Sequence, residues 1–181
     1  MSKRIPELEH LYNKPDESIS VVALDVDNYT CVPGVLSNVS EWGARLTADH
    51  VTELRKNVGL QVNGSVKLIR ATVTGIHKNV ASIVFPTEQE GPFIDKRREM
   101  RNKVSIPVKV FSRDKSTELE GMIIDASANG CRVQALGIEQ LPEEIMLHFN
   151  KMEEPVLAEV AWTKSNIAGV RLMWDKPELI G

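Results

Sequence analysis

Residues 121–133 read GMIIDASANGCRV, and residues 34–46 read GVLSNVSEWGARL. The two stretches overlay without a gap at an offset of 121 − 34 = 87 residues, and the same offset lays ATVTGIHKNVASIVF (71–85) over AEVAWTKSNIAGVRL (158–172). The residues of the first copy that meet an identical residue in the second are Gly34, Ser40, Gly43, Arg45, Ala71, Val73, Asn79 and Ala81. Self-similarity at one fixed offset predicts two tandem copies of one fold.

The copies consist of short apolar runs that alternate with polar residues and are regularly interrupted, a pattern typical of strands. Strands are predicted over 18–25, 32–39, 43–48, 60–70, 71–77 and 79–85, and again over 105–112, 119–126, 130–135, 144–150, 155–164 and 167–174. Helix is predicted only at 5–12, Ala48–Lys56 and Ile138–Glu144. Closing a small sheet removes its exposed edges. The chain is therefore predicted to be all-β, with two tandem small antiparallel β-barrels and little helix.

Proline and glycine mark the boundary between the copies. The stretch Pro86–Pro92 (PTEQEGP) combines both breakers with little apolar surface to bury. We assign residues 1–86 to a first barrel, 87–96 to a linker and 97–181 to a second barrel.

Composition limits the function classes. A chain of 181 residues with 42% hydrophobic content can bury one sizeable core or two small ones. A net charge of −3 and a pI near 5.9 argue against a general binder of nucleic acid or anionic membranes. Only 5% of the residues are aromatic, which counts against single-stranded nucleic-acid binding by stacking. The run Lys96–Lys103 (KRREMRNK) is then a local basic island, which indicates a focused site.

Within that island Arg97 and Arg101 are four residues apart, so they share one side of either a helix or a strand, with Arg98 beside them. We call residues 97–101 the arginine segment. A guanidinium can bind two phosphate oxygens together or pair with O6 and N7 of guanine. Taken alone, a basic run in a linker is usually a solvated surface segment.

A second motif, Asp125–Gly130, places Asp125 and Ser127 on one side of an extended segment. A carboxylate can accept both the N1–H and the N2 amine of guanine, and Gly130 allows a positive φ or close approach of a ligand. Alone, the pattern is also typical of a hairpin turn. Together the two motifs suit a small, phosphate-bearing purine ligand.

The RxxxR and D/NxSxxG motifs, in this order, resemble the PilZ domain, the bacterial receptor module for cyclic di-GMP. Pro107-Val108 after the first motif, GCRV at 130–133, AEVAW at 158–162 and GVRL at 169–172 extend the resemblance over about residues 96–174. It implies a split barrel and a cyclic di-GMP site formed by Arg97, Arg98, Arg101, Asp125, Ser127 and Gly130.

In that site the resemblance implies that Arg97 and Arg101 contact phosphate and guanine and that Arg98 is a third contact or stacking partner. Asp125 and Ser127 would read the polar edge of guanine, and Gly130 would admit the base. One or two ligand molecules per site both remain open.

The first copy keeps the second motif as Asn38–Gly43 but has His10 and Lys14 where the arginines would stand. An imidazole and one lysine cannot supply paired bidentate recognition. The first barrel is therefore predicted to be a degenerate copy used for packing or partner contact, and it offers a surface for a homodimer.

The resemblance implies a non-enzymatic cyclic di-GMP receptor that relays the signal, through a domain rearrangement, to an unidentified protein partner governing motility, adhesion or biofilm behaviour. The alternative is an adaptor that binds a protein constitutively, without ligand. Single-stranded nucleic-acid binding is a third class, against which the charge and the aromatic content count.

Other residues predict no further chemistry. Cys31 and Cys131 lack a second ligand at metal-binding spacing, so buried reduced thiols are expected, with no metal and no cofactor. No pattern resembles a nucleophile elbow or a pair of catalytic carboxylates. Without a signal peptide or an apolar run of about 20 residues, a cytoplasmic protein with no membrane association is expected. Trp42, Trp162 and Trp174 are expected to pack in cores or at barrel ends, with the alternative that Trp42, inside the degenerate second motif, faces an interface. Arg45 and Arg132 are expected to be structural.

Overall fold

The computed structural model describes residues 2–62, 65–86, 102–127, 130–174 and 178–180, with backbone alone at 2–3 and 178–180. Within these residues the chain forms two closed antiparallel barrels of six strands each. The predicted all-β fold of two tandem barrels with little helix is confirmed.

The first barrel has the strand order β2-β3-β4-β7-β6-β5, and β5 pairs with β2 to close it. Every neighbouring pair is antiparallel. A short strand, β1, precedes the barrel. The strands are β1 Ser2–Arg4, β2 Ser18–Asp25, β3 Cys31–Ser37, β4 Gly43–Thr47, β5 Asn57–Val62, β6 Ile69–His77 and β7 Val80–Val84.

The second barrel repeats this order as β8-β9-β10-β13-β12-β11, closed by the pairing of β11 with β8. A last strand, β14, pairs antiparallel with β1, so the two ends of the described chain meet. The strands are β8 Asn102–Ser112, β9 Glu118–Ala126, β10 Gly130–Gln134, β11 Glu144–Phe149, β12 Val156–Lys164, β13 Ile167–Leu172 and β14 Glu178–Ile180.

The tandem repeat extends to single hydrogen bonds. Strands β4 and β10 begin 87 residues apart, as do β5 and β11 and also β6 and β12. The Ser40 amide donates to the Gly43 carbonyl at 2.8 Å, and the Ser127 amide donates to the Gly130 carbonyl at 2.8 Å. Both barrels also carry a bulge at the same place in the pairing of their last two strands. The predicted duplication is confirmed.

Two sequence predictions differ from the structure in detail. The strand predicted over 60–70 is wrong, because β5 ends at Val62 and β6 begins at Ile69. The chain turns there, since the Ser65 amide donates to the Val62 carbonyl at 2.9 Å, and the two halves become antiparallel neighbours. The helix predicted over Ala48–Lys56 shrinks to the 3-10 turn Val51–Glu53.

The other two helix predictions are also 3-10 elements in the structure. One spans Pro6–Leu11, and the other is limited to Ile138–Gln140. Strands β1 and β14 were not predicted from the sequence, because each has three residues and their pairing joins the two ends of the chain.

The two barrels share buried surface. The core of the second barrel contains side chains of the first barrel, on β2, on the β2–β3 loop and before β6. The ring of Tyr29 is 2% exposed and meets Phe149 edge to face, with ring centroids 5.7 Å apart. The first-barrel residues in this shared core are Val22, Leu24, Val26, Tyr29, Cys31 and Leu68. Apolar surface shared in this way joins the barrels into one cooperative unit.

Polar contacts reinforce the same interface. The side-chain amide of Gln61 makes two hydrogen bonds with the backbone of Glu154. Its Nε2 donates to the Glu154 carbonyl at 2.7 Å, and its Oε1 accepts from the Glu154 backbone N–H at 3.4 Å. The Leu157 amide donates to the Val66 carbonyl at 2.6 Å. The Trp174 ring of the second barrel packs against the Arg70 guanidinium of the first barrel. Arg70 Cζ lies 4.8 Å from the centroid of the Trp174 ring. Trp174 therefore packs between the barrels, as expected for a barrel-end residue.

Both cysteines belong to this shared core and are buried, free thiols. Burial raises the pKa of Cys31 and that of Cys131 to about 12 each. The thiols therefore stay protonated at neutral pH, so they are poor nucleophiles.

We expect Tyr29→Ala to lower the free energy of unfolding by about 3–5 kcal/mol, since it opens a cavity in the shared core. Because the barrels share that core, urea unfolding should remain a single transition when followed by fluorescence and by circular dichroism. Tyr29→Phe, which keeps the ring, is the control and should cost much less. Two separate transitions in the wild-type chain would contradict a common cooperative core.

Candidate ligand site

The predicted site arginines, Arg97, Arg98 and Arg101, lie outside the described residues. The predicted linker, residues 87–96, lies outside them as well. The described chain resumes at Asn102, the first residue of β8. Asn102 pairs with Ala126, and Lys103 pairs with Asp125. The peptide bond between residues 101 and 102 therefore joins the arginine segment to the barrel opposite the second motif.

Asp125 lies near the end of β9 and is 3% exposed. It is the cross-strand partner of Arg132 on β10, whose Nε donates to Asp125 Oδ2 and whose Nη2 forms an ion pair with the same oxygen. The Asp125 carboxylate is buried, whereas the Arg132 side chain that pairs with it is 42% exposed and reaches the surface. The ion pair agrees with the expected structural role of Arg132, and it also holds a guanidinium beside the second motif.

Ser127 closes the turn between β9 and β10. It is 4% exposed, and its hydroxyl donates to the Gly130 carbonyl at 3.1 Å. The same carbonyl accepts the Ser127 amide at 2.8 Å. Ser127 and Gly130 therefore pair across the connection between β9 and β10, as the hairpin-turn pattern of the motif predicts. That turn holds the ends of both strands in place beside Asp125 and Arg132.

Gly130 is required by the barrel itself. A β-carbon at this position would lie 2.1 Å from the Val170 carbonyl oxygen on β13, far inside van der Waals contact. Among the described glycines only Gly137 has a positive φ. Gly43 of the first copy has the same relation to Ile83 O, also at 2.1 Å. Close packing of neighbouring strands thus explains why both copies carry glycine here, with or without arginines.

In the first barrel, the stretch that corresponds to the arginine segment is held by its own apolar residues. Leu8 and Leu11 are fully buried in the first core, and the Tyr12 hydroxyl accepts from the Ile5 amide at 2.8 Å. At the offset of 87, charged residues of the second copy, Asp95 and Arg98, stand where these two leucines are.

Polar contacts also tie this stretch to the degenerate motif. Arg4 donates to Glu41 within Asn38–Gly43 at 3.4 Å. His10 and Lys14 are both exposed, so neither side chain points into the barrel. Lys14 Nζ forms a surface ion pair with Glu17 Oε1 at 3.9 Å. The first copy therefore closes this part of its surface with protein contacts.

The tryptophans lie in different environments. Trp42 is 72% exposed, so it does not pack in a core, and its exposure agrees with the alternative that it faces an interface. Trp162 is 43% exposed but covers Gly169, where a β-carbon would lie 2.1 Å from the indole Nε1. The place of Trp42 inside the degenerate second motif is the sequence signal for an interface position.

Residues 95–178 match the family model of the PilZ domain. The second barrel with the stretch before it thus belongs to the PilZ family, and the first barrel is a tandem, degenerate copy of it. A search of curated proteins found no match.

The solved structures to which the chain is similar are distant. PlzA of Borreliella burgdorferi in complex with c-di-GMP is 12% identical, with 88% of this chain and 82% of that chain covered and a TM-score of 0.38. YcgR of Escherichia coli in complex with c-di-GMP is 14% identical, with coverage of 92% and 79% and a TM-score of 0.29. The Rv3671c protease of M. tuberculosis is also 14% identical, with coverage of 96% and 83% and a TM-score of 0.30. Likeness at this level carries no functional argument.

Within the described ranges, no cluster of three or more His, Cys, Asp or Glu side chains is arranged to hold a metal ion. The same residues contain no helix with the length and apolarity to cross a bilayer.

Proposed function

We propose that this chain is a cyclic di-GMP receptor that binds the dinucleotide between the arginine segment and the second motif. The observation that supports the proposal is the pairing of Asn102, the residue after Arg101 in the sequence, with Ala126, which lies between Asp125 and Ser127. The PilZ match at residues 95–178 covers both motifs.

The proposed roles follow from charge and hydrogen-bonding capacity. Arg97 and Arg101 bind phosphate and guanine through bidentate contacts, and Arg98 adds a third contact or stacks on a base. Asp125, held in place by Arg132, and Ser127 read the polar edge of guanine. Gly130 keeps the strand ends close together, so that the base approaches bare backbone.

We further propose that ligand binding changes how the first barrel lies against the second and that a protein partner reads this change, with an output in motility or biofilm behaviour. Asn102, next to the arginine segment, already donates to the Asp27 carbonyl of the first barrel at 2.7 Å. A shared core limits the amplitude of the motion. Small-angle scattering profiles that are identical with and without saturating ligand would contradict this relay.

The proposal assigns no catalysis, no metal and no cofactor other than the bound ligand. The domain division is likewise proposed, with barrels at 1–86 and 97–181 and a linker at 87–96. The alternative function is a constitutive protein adaptor, and the exposed Trp42 favours partner binding by the first barrel in either case.

Isothermal titration of the full chain with cyclic di-GMP tests the proposal, with GTP and cyclic di-AMP as controls. We expect selective binding of cyclic di-GMP, with one or two ligand molecules per chain. One site is expected, because the first copy lacks the arginines and closes the corresponding surface with protein contacts. No binding of cyclic di-GMP would overturn the receptor and favour the adaptor. Equal binding of GTP would contradict specific recognition.

A further inference from the structure

The first barrel carries an open groove on the outer face of β4, β6 and β7. It has a volume of about 510 Å³. Arg45 of β4, residues 75–80 around the β6–β7 turn, and Ser82 of β7 line it. Arg45 pairs with Ser82, and Ser82 pairs with Gly75, so the groove crosses three neighbouring strands. None of these residues belongs to the proposed ligand site.

Two differences between the copies explain why the groove is open. A β-carbon on Gly75 would meet no atom within 4 Å. At the offset of 87 the second barrel has Trp162 at this position and Gly169 in place of Ser82. Trp162 covers Gly169 there. The first barrel has therefore lost the indole that covers the corresponding surface of the second.

The groove is cationic. Its lining contains Arg45, His77 and Lys78 and no carboxylate. Among the described residues none of these three has an acidic partner within ion-pair distance. The counterpart of Arg45 in the second barrel, Arg132, is paired with Asp125, but the first copy has Asn38 in place of that aspartate. Arg45 therefore lacks, in the first barrel, a carboxylate equivalent to the one that pairs with Arg132 in the second.

Exposed apolar side chains lie on the same strands. Ile76 is 38% exposed and Val84 is 41% exposed, and Trp42 precedes Gly43, which pairs with Val84. The backbone of Trp42 is fixed at both polar groups, because its amide donates to Ser40 Oγ at 3.2 Å and its carbonyl accepts from the Phe85 amide at 2.8 Å. An exposed tryptophan on a fixed backbone is typical of interface hot spots.

We infer that this face is the docking site for a protein partner that presents an acidic segment, with carboxylates on both sides of an apolar side chain. The carboxylates would pair with Arg45 and Lys78, and the apolar side chain would enter the space above Gly75 and contact Ile76. The inference names the chemistry of the partner in the proposed relay. It can be tested without cyclic di-GMP, so it stands or fails separately from ligand binding.

The probe is a phage-displayed library of random dodecapeptides, selected against the immobilised full chain. We expect enriched peptides to carry Asp or Glu around one aromatic or aliphatic residue. The dominant peptide is then synthesised and titrated against variants. Arg45→Glu should weaken its binding by about tenfold or more, because it reverses a charge at the centre of the groove. The matched control is Lys164→Glu, which reverses a charge at the position of the second barrel equivalent to His77 and should leave the affinity unchanged.

A second variant fills the groove without removing a charge. Gly75→Trp combined with Ser82→Gly rebuilds the pair that the second barrel contains, and it should also weaken peptide binding by about tenfold or more, since the indole takes the space of the ligand side chain. The circular dichroism spectrum and the melting temperature of this variant should stay close to those of wild type, which shows that the chain is folded. No enrichment, or enriched peptides that bind both groove variants like wild type, would overturn the inference.

Other occupants give distinct results. If wild type self-associates in sedimentation equilibrium and the filled variant is monomeric, the face binds a second copy of this chain and the acidic partner is excluded. Binding to vesicles that contain phosphatidylserine, abolished by Arg45→Glu while no acidic peptide is selected, would assign the face to a membrane and overturn the inference as well.

Discussion

Arg101→Ala is expected to weaken cyclic di-GMP binding by about 100-fold or more, since it removes one of the two guanidinium groups proposed to make bidentate, charge-assisted contacts, and such hydrogen bonds are the strong ones. The melting temperature of the ligand-free protein should stay close to that of wild type. Residues 97–101 precede β8 in the sequence, and a charged arginine outside a barrel strand is expected to contribute little to folding. Calorimetric titration gives the affinity, and thermal unfolding without ligand gives the stability.

The control for this prediction is Lys109→Ala. Lys109 is an exposed β8 residue that forms a surface ion pair with Glu118 at 3.5 Å, so its loss removes one positive charge of the same barrel away from the motifs. Surface pairs of this kind contribute little to stability. If Lys109→Ala weakens binding as much as Arg101→Ala, general electrostatic attraction rather than a defined site binds the ligand. A large loss of stability in Arg101→Ala would assign that arginine to folding.

Gly130→Ala is expected to destabilise the chain by about 3 kcal/mol or more, because the new methyl group would lie 2.1 Å from a backbone carbonyl oxygen and only movement of β10 or β13 could relieve the clash. The cost arises from the barrel and not from the ligand. Urea unfolding of the ligand-free variant measures it. Gly43→Ala should behave similarly, because Ile83 O lies at the same distance in the first copy.

Gly75→Ala is the matched control, since its methyl group meets no atom within 4 Å. Its free energy of unfolding should change far less than that of Gly130→Ala. A stable Gly130→Ala protein that has lost ligand binding would contradict the structural role and return this glycine to direct ligand contact. An unstable one would mean that lost binding at this position says nothing about contact with the base.

Much of the fold could be predicted from local patterns in the sequence. Alternating apolar residues and turn residues located most strands to within a few positions, and the repeat offset predicted two barrels with the same strand order. The errors have separate causes. In the run 60–70, Leu60, Val62, Val66 and Leu68 keep one alternating register, so the pattern favours a single long strand although Asn63-Gly64 is a turn signal. Three-residue strands such as β1 have too few residues for any periodicity.

At the candidate site, the motifs identified Asp125, Ser127 and Gly130, but the reasons for their identities needed coordinates. Arg132 gave only a weak signal in sequence, as a polar residue on an otherwise apolar strand. Its role became visible when cross-strand register placed it against Asp125. The order of the residues along the chain could not show that pairing, because register is set by how β9 and β10 meet.

The sequence by itself determined the duplication, the all-β class and the location of the two motifs, since these depend on periodicity and on residue chemistry that can be read locally. Only the tertiary structure decided that the barrels share a core around Tyr29, that Gly130 faces a carbonyl of β13, and that Trp42 and the groove at Gly75 are exposed. The physical reason is the same in each case. These properties depend on which distant strands come into contact, and burial and steric clash exist only once those strands are packed together.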